Sequence, residues 1–213
     1  MRLSRLARRR ALLATGLVAG SALFASAAFP ADGKSLYAAC IACHGARGEG
    51  VAATGAPNIA GSAAWYVERQ LKDFASGARG RQPGDTFGAV MGAAGATLGS
   101  DTDRASVAAY LAALPPARAA ALSAPNDNGR NYFNAICSAC HGSNGLGNQT
   151  LGAPRLAGVE PKYLTRQLAA FKSGRRGAQS GDRLGAQMRA ISAMLPDART
   201  EQDVIAYAAS LQP

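Results

Sequence analysis

The sequence is poor in the residues that usually carry chemistry. Its 213 residues include two His, four Cys and one Trp, and Phe, Trp and Tyr together make up 6%. So few aromatics, set against 25 Gly and abundant Ala, make thin side-chain cores. A unit of about 90 residues is marginal on burial alone. All four Cys and both His fall within two five-residue runs, Cys40-Ile41-Ala42-Cys43-His44 and Cys137-Ser138-Ala139-Cys140-His141. No Cys is left over for a disulfide elsewhere, and no His is left for proton transfer. There is no convincing strand pattern and no βαβ unit, which removes the usual setting of a redox C-x-x-C pair.

The spacing C-x-x-C-H is the signature of covalent c-type haem attachment. Two thiols must reach the two vinyl groups of one porphyrin while the adjacent imidazole turns under the ring to bind iron. Zinc is the competing donor-set reading, because Cys and His are zinc ligands. It would need both Cys pairs in one place, whereas the repeat described below keeps them in separate units. Ordinary disulfides in an exported protein account for paired Cys but not for a His after each pair. Cys40, Cys43, Cys137 and Cys140 are therefore expected to hold two covalent haem c groups, with His44 and His141 as axial iron ligands. A large apolar prosthetic group also answers the shortage of core, so each half is expected to need its haem to fold stably.

Residues 1–28 read as an export signal. Arg2, Arg5, Arg8, Arg9 and Arg10 form a basic start, an apolar stretch runs from Ala11 to about Phe24, and Ala25-Ser26-Ala27 supplies small residues for a cut after Ala27 or Ala28. An uncleaved membrane anchor is the alternative, since the apolar run reaches the lower limit for spanning a bilayer. Arg8-Arg9-Arg10 also resembles a twin-arginine signal. That route carries folded proteins, whereas haem is attached after export, which favours the general secretory route. The expected location is the periplasm, with membrane association as the alternative.

Removing the signal changes the charge. The full sequence carries 23 basic and 13 acidic residues; without the five signal arginines the balance is 18 against 13, a net +5. Two haems add up to four propionate charges, so the mature chain is nearly neutral and nucleic-acid binding is not indicated. The remaining charge is lopsided: residues 29–120 carry 8 basic and 7 acidic, residues 121–213 carry 10 and 6. An acidic patch on a redox partner would face the second half.

The chain is one unit written twice. Downstream of the Cys pairs every landmark recurs at an offset of 97: Pro57 and Pro154, Tyr66 and Tyr163, Gln70-Leu71 and Gln167-Leu168, Phe74 and Phe171, Gly77 and Gly174, Arg79 and Arg176, Gly84-Asp85 and Gly181-Asp182, Met91 and Met188, Tyr110 and Tyr207. Two copies at this spacing make duplicated domains and not a solenoid. The domains are expected at 29–114 and 129–213, joined by a linker at 115–128 that begins with Pro115-Pro116 and lies against both. Upstream of the Cys the offset is 96, pairing Gly33 with Gly129 and Tyr37 with Phe133. The first copy has one residue fewer just before Cys40, and one residue is about 100° of helical rotation. Helix entry is therefore expected to differ between the halves.

Each unit reads as helices and loops, an all-α fold. The predicted helices cover about 33–42 and 129–139, 63–76 and 160–173, and 102–114 and 200–211, with Gly-rich loops at Gly45–Gly61 and Gly142–Gly158. Trp65, Leu71 and Phe74, or Tyr163, Leu164, Leu168 and Phe171, mark the buried stripe of the middle helices, which Gly77 and Gly174 end. Thr200 with Asp203 reads as a capping arrangement for the last helix. The second axial position on each iron calls for a thioether, and His/Met ligation raises the reduction potential. Met1 leaves with the signal, so Met91 and the equivalent Met188 are the expected ligands. Met194 corresponds to Thr97 and is expected in the core beside Leu195. With both irons capped and no spare His, the sequence describes an electron carrier and not an enzyme, and no catalytic residue is assigned.

These features together resemble the class I di-haem cytochromes c, and most closely the cytochrome c4 family. The likeness covers essentially the whole mature chain. It is carried by C-I-A-C-H-G and C-S-A-C-H-G, by G-A-P-N-I-A-G and G-A-P-R-L-A-G, by Y-V-E-R-Q-L-K-D-F and Y-L-T-R-Q-L-A-A-F, and by the closing A-A-Y-L and I-A-Y-A. The resemblance implies that Pro57 and Pro154 offer backbone carbonyls to the Nδ1 hydrogens of His44 and His141, orienting each ring. It also implies two tandem cytochrome c-type domains related by pseudo-two-fold symmetry. The implied role is a periplasmic carrier between a quinol-oxidising complex and a terminal oxidase, both transient membrane partners. A cytochrome subunit accepting electrons from one periplasmic dehydrogenase is the alternative.

Overall fold

Gly33 decides how the first helix meets the last helix of its domain. A Cβ there would stand 2.1 Å from the carbonyl oxygen of Ser106, and one on its counterpart Gly129 would stand 2.1 Å from that of Asp203. Only a residue without a side chain lets the two backbones cross so closely. A computed structural model of the chain describes residues 32–119 and 123–212; the signal expected at 1–28 and the middle of the linker lie outside the described residues.

The first domain runs α1 (Gly33–Tyr37), a 3₁₀ turn (Ala38–Cys40), α2 (Ile41–His44), α3 (Ala64–Ser76), α4 (Thr86–Ala96) and α5 (Asp101–Ala113). The second repeats it as α6 (Asp127–Tyr132), a π segment (Phe133–Cys137), α7 (Ser138–His141), α8 (Pro161–Lys172), α9 (Arg183–Ser192) and α10 (Ala198–Ser210). No strand occurs among the described residues, only an isolated bridge in each loop, Val51 with Ala56 and Asn148 with Ala153. In each copy the first helix packs on the last, and that pair closes on the middle helix.

The unequal approach to the Cys pairs is resolved locally. In the first copy the N–H of Ile41 bonds to Ala38 O, the tight i→i+3 winding. In the second the N–H of Ser138 bonds to Phe133 O, the wide i→i+5 winding. Three residues from Tyr37 to Cys40 and four from Phe133 to Cys137 thus each make about one turn, three residues per turn being the 3₁₀ value. The 100° displacement expected from the sequence does not propagate. Tyr37 and Phe133 are both buried, at 1% and 0% exposure, and each anchors its own core. Tyr37 joins Leu71, Leu98, Val107 and Leu111, and Phe133 joins Leu195, Val204 and Ala208. Each buried Leu, Val or Phe of these clusters is worth about 1.5–3 kcal/mol relative to exposure.

Helix ends correct two further expectations. α10 starts earlier than predicted: Asp197 is its cap, accepting from the N–H of Thr200 at 2.7 Å, as Ser100 caps α5. Asp203 instead holds α6, accepting from Asn126 Nδ2 at 2.8 Å and Asn128 Nδ2 at 2.9 Å. Met194 is 58% exposed and not in the core; α9 ends at Ser192, and the turn after it aims Leu195 inward and Met194 outward.

The domains meet across a pseudo-dyad. Arg79 donates to Gln70 Oε1 at 2.5 Å and, across the interface, to Gln167 Oε1 at 2.8 Å. Arg176 donates to Gln167 Oε1 at 2.6 Å and across to Gln70 Oε1 at 3.2 Å. Arg69 reaches Gly152 O at 2.9 Å, and its counterpart Arg166 reaches Gly55 O. This reciprocal exchange is the mark of an isologous contact. The first part of the linker, residues 115–119, lies along the same seam: Pro116 sits against Gly61, and Ala119 N donates to Gly158 O at 3.1 Å.

Candidate functional site

Each Cys-x-x-Cys-His run ends a short helix, and the Gly that follows turns the chain away. Gly45 and Gly142 stand at φ +83° and +77°, where a side chain is strained. The next loop folds back beneath the His. Gly50 N donates to His44 O, and Gly147 N to His141 O, both at 2.8 Å. This return places the Pro carbonyls: His44 Nδ1 is 3.0 Å from Pro57 O, and His141 Nδ1 is 2.8 Å from Pro154 O. A carbonyl can only accept, so Nδ1 carries the hydrogen and Nε2 keeps its lone pair for a metal.

The rings are buried at 6% and 5% exposure. Burial holds both imidazoles below the usual His range, against the opposing pull of the Pro carbonyl bonds. The four Cys are unpaired; Cys40 and Cys137 are half-buried, Cys43 and Cys140 exposed. Burial, then the neighbouring Cys140, pushes the Cys137 thiol up to about 11, and burial followed by Cys43 raises Cys40. Among the described residues no three Cys, His, Asp or Glu side chains converge on one point, so each Cys pair with its His is a separate half-site. One exposed and one half-buried thiol beside a neutral imidazole whose Nε2 keeps its lone pair are the donor set that one covalent haem requires, and it is present twice.

Met91 and Met188 take equivalent half-buried positions on α4 and α9. Asp85 and Asp182 start those helices, accepting from Gly88 N at 2.9 Å and Gly185 N at 2.8 Å. The sequence reading contains neither helix. α4, Thr-Phe-Gly-Ala-Val-Met-Gly-Ala-Ala-Gly-Ala, has no apolar/polar periodicity to read, and Gly is a poor helix former. The signal that could have found them is the recurrent Gly-Asp before each Met, a helix cap.

Two matches of the cytochrome c family model fall on residues 30–115 and 127–212. Cytochrome c4 of Azotobacter vinelandii is 31% identical, with 94% of this chain and 95% of that protein aligned. The thiosulfate dehydrogenase electron acceptor of Stutzerimonas stutzeri (strain A1501) is 36% identical over 76% of this chain and 80% of its own length. The structure of reduced recombinant cytochrome c4 from Pseudomonas stutzeri superposes with a TM-score of 0.65 at 29% identity, covering 84% of this chain and 95% of that one. The fold and its two haem-attachment half-sites thus define a tandem class I cytochrome c. The chain belongs to the cytochrome c family, as a di-haem, cytochrome c4-like electron-transfer protein.

Proposed function

We propose that the protein is a periplasmic electron shuttle carrying electrons from a quinol-oxidising complex to a terminal oxidase, without a substrate-turnover site of its own. Each haem supplies one reversible iron(III)/iron(II) couple. The observation that carries this reading is that both His of the chain have Nδ1 committed to a Pro carbonyl. With Nε2 given to iron, no imidazole remains for proton transfer to a substrate. Met91 and Met188 complete the axial pairs with His44 and His141, and closing both irons suits electron transfer over ligand chemistry. Pro57 and Pro154 orient the proximal rings. The excess of basic residues in the second half favours an acidic docking patch on the partner. Among the described residues no helix is long and apolar enough to cross a membrane.

The test begins with oxidised and reduced absorption spectra and a pyridine haemochrome count on the mature protein. Two haems per chain, both low-spin with the weak ferric band of Met sulfur, are expected; a high-spin component would overturn the axial assignment. In Met91→Ala and Met188→Ala, each taken singly, both haems stay attached and one iron opens to cyanide. Unchanged ligand exclusion in either variant refutes its Met.

A second reading, an acceptor for a particular periplasmic dehydrogenase, is consistent with the 36% identity over 76% of the chain to the thiosulfate dehydrogenase electron acceptor, beside 31% over 94% to cytochrome c4. Stopped-flow reduction of the ferric protein separates the two. Faster reduction by a quinol-oxidising complex supports the shuttle, and faster reduction by a thiosulfate dehydrogenase supports the acceptor.

A further inference from the structure

The two proximal His are held alike, but the peptide groups that hold them are not equivalent. In the first domain the carbonyl of Pro57 accepts from His44 Nδ1 at 3.0 Å. The N–H on the other side of that same peptide bond, that of Asn58, donates to Glu160 Oε1 at 2.6 Å. Glu160 stands at the N-cap position of α8, in the other domain, but its side chain makes no capping bond to that helix. One peptide group therefore stands between an imidazole of one domain and a carboxylate of the other. In the second domain Pro154 O accepts from His141 Nδ1 at the shorter distance of 2.8 Å, but the residue equivalent to Glu160 is Ala63, which offers the N–H of Arg155 no carboxylate, so only the bond at His44 is backed by a charge.

The rest of the arrangement fixes this geometry. A Cβ on Gly50 (φ +83°) would lie 2.7 Å from Asn58 N, 2.8 Å from Glu160 Oε1 and 2.9 Å from Pro57 C, so the loop lies flat on the peptide and the carboxylate together. Asn58 is 5% exposed, and its side chain donates to Ala117 O at 3.2 Å and Gly158 O at 3.1 Å. Burial raises Glu160 above the usual carboxyl range, while the Asn58 N–H and the charges of Arg166 and Arg155 favour its ionised form.

We propose that Glu160 tunes the haem of the first domain, lowering its reduction potential below that of the second through the Pro57–Asn58 peptide. A carboxylate accepting from an amide N–H makes a strong hydrogen bond. It polarises the amide, so that the carbonyl at the other end becomes a better acceptor. A stronger bond from His44 Nδ1–H makes the ring a more basic ligand, as an outer-shell carboxylate does directly in metal sites. A more basic ligand favours iron(III). The Arg charges offset part of the carboxylate's field but not this directional bond. The domain that supplies Glu160 thereby sets a downhill direction for electrons, from the first haem to its own. Glu160 is a positioning residue, acting through Pro57 on His44, and the inference rests on haem being bound at His44.

The test is an NMR-followed redox titration of the intact di-haem protein and of Glu160→Gln, each haem's signals being assigned through its own Cys bridges. In the wild type the first haem should titrate at the lower potential. In Glu160→Gln its potential should move up while that of the second stays in place. An unmoved first haem, or equal movement of both, overturns the proposal. The wild-type protein labelled with 15N-His supplies a second measurement that needs no variant. The reduced His44 Nδ1–H should resonate downfield of that of His141, and coincident resonances overturn the proposal even if the variant fails to fold. A wild-type haemochrome count below two per chain is a different failure, that of the haem reading itself.

Discussion

Gly50 and Gly147 show how much a single missing side chain decides at the residue scale. Each has φ near +85° and lies against the Pro peptide that orients a His, with Cβ positions 2.7 Å from Asn58 N and from Pro154 C. Gly50→Ala or Gly147→Ala should cost about 2–4 kcal/mol, from left-handed strain and from pushing the peptide away. Thermal melting of the haem-loaded variants checks this; a loss under about 0.5 kcal/mol, the ordinary surface range, would show that the loop has another place to go. The four Cys and both His were legible in the sequence because their chemistry permits few alternatives at that spacing. Glu160 was not, because its effect depends on an Asn58 N–H 102 residues away. Polar landmarks of the repeat, Tyr66, Gln70 and Arg79, were visible as recurrent but had no role until the domains were docked.

At the scale of elements, the segment before each Cys pair is the most instructive. The sequence shows one residue more in the second copy, and helix geometry alone predicts a rotated entry. The structure absorbs the residue as a π segment, so that Phe133 and Tyr37 keep their buried positions. Burying a large aromatic outweighs the poorer hydrogen bonds of one irregular turn. Deleting Ala135 should convert this segment to the length found in the first domain, leaving both haems attached and lowering the melting temperature by only a few degrees, on the order of 1 kcal/mol. Loss of the second haem would show that the extra residue is needed for attachment. α4 is illegible in the sequence because a Gly- and Ala-rich helix has no stripe to detect, whereas the ten residues of α9 carry a short one, Leu184, Met188 and Ile191, that the sequence reading does not use. They are held by an Asp cap and by packing of α4 on α3 and α9 on α8, which only folding supplies.

For the whole molecule, two Arg and two Gln on the pseudo-dyad join the domains. Arg79 and Arg176 donate to the same pair of Gln oxygens and stack over Phe74 and Phe171 at 4.4 and 4.3 Å from the ring centroids. Hydrogen bonds from a charged group to buried partners are worth about 1.5–3 kcal/mol each, so Arg79→Ala should cost on the order of 3 kcal/mol and expose the linker to protease. Because the two guanidinium groups face one another, Arg79→Ala with Arg176→Ala should cost less than the sum of the single changes, which a double-mutant cycle in urea measures. An additive result would show that the pair does not interact. The haem-free chain should lack a cooperative melt, since two small cores around Tyr37 and Phe133 are marginal without the prosthetic groups. A native-like calorimetric transition of that form would contradict this.

By itself the sequence determined the duplication, the helical class and the haem-attachment motifs, because each is a local pattern: a fixed offset, a helical period, a spacing of ligands along one turn. Only the tertiary structure decided what depends on distant residues meeting. It decided that a missing residue is absorbed in one turn, that the two domains clasp through reciprocal Arg and Gln, and that the symmetry breaks at Glu160. A hydrogen bond over 102 residues has no period in the sequence, and forms only when docking has brought its donor and acceptor together.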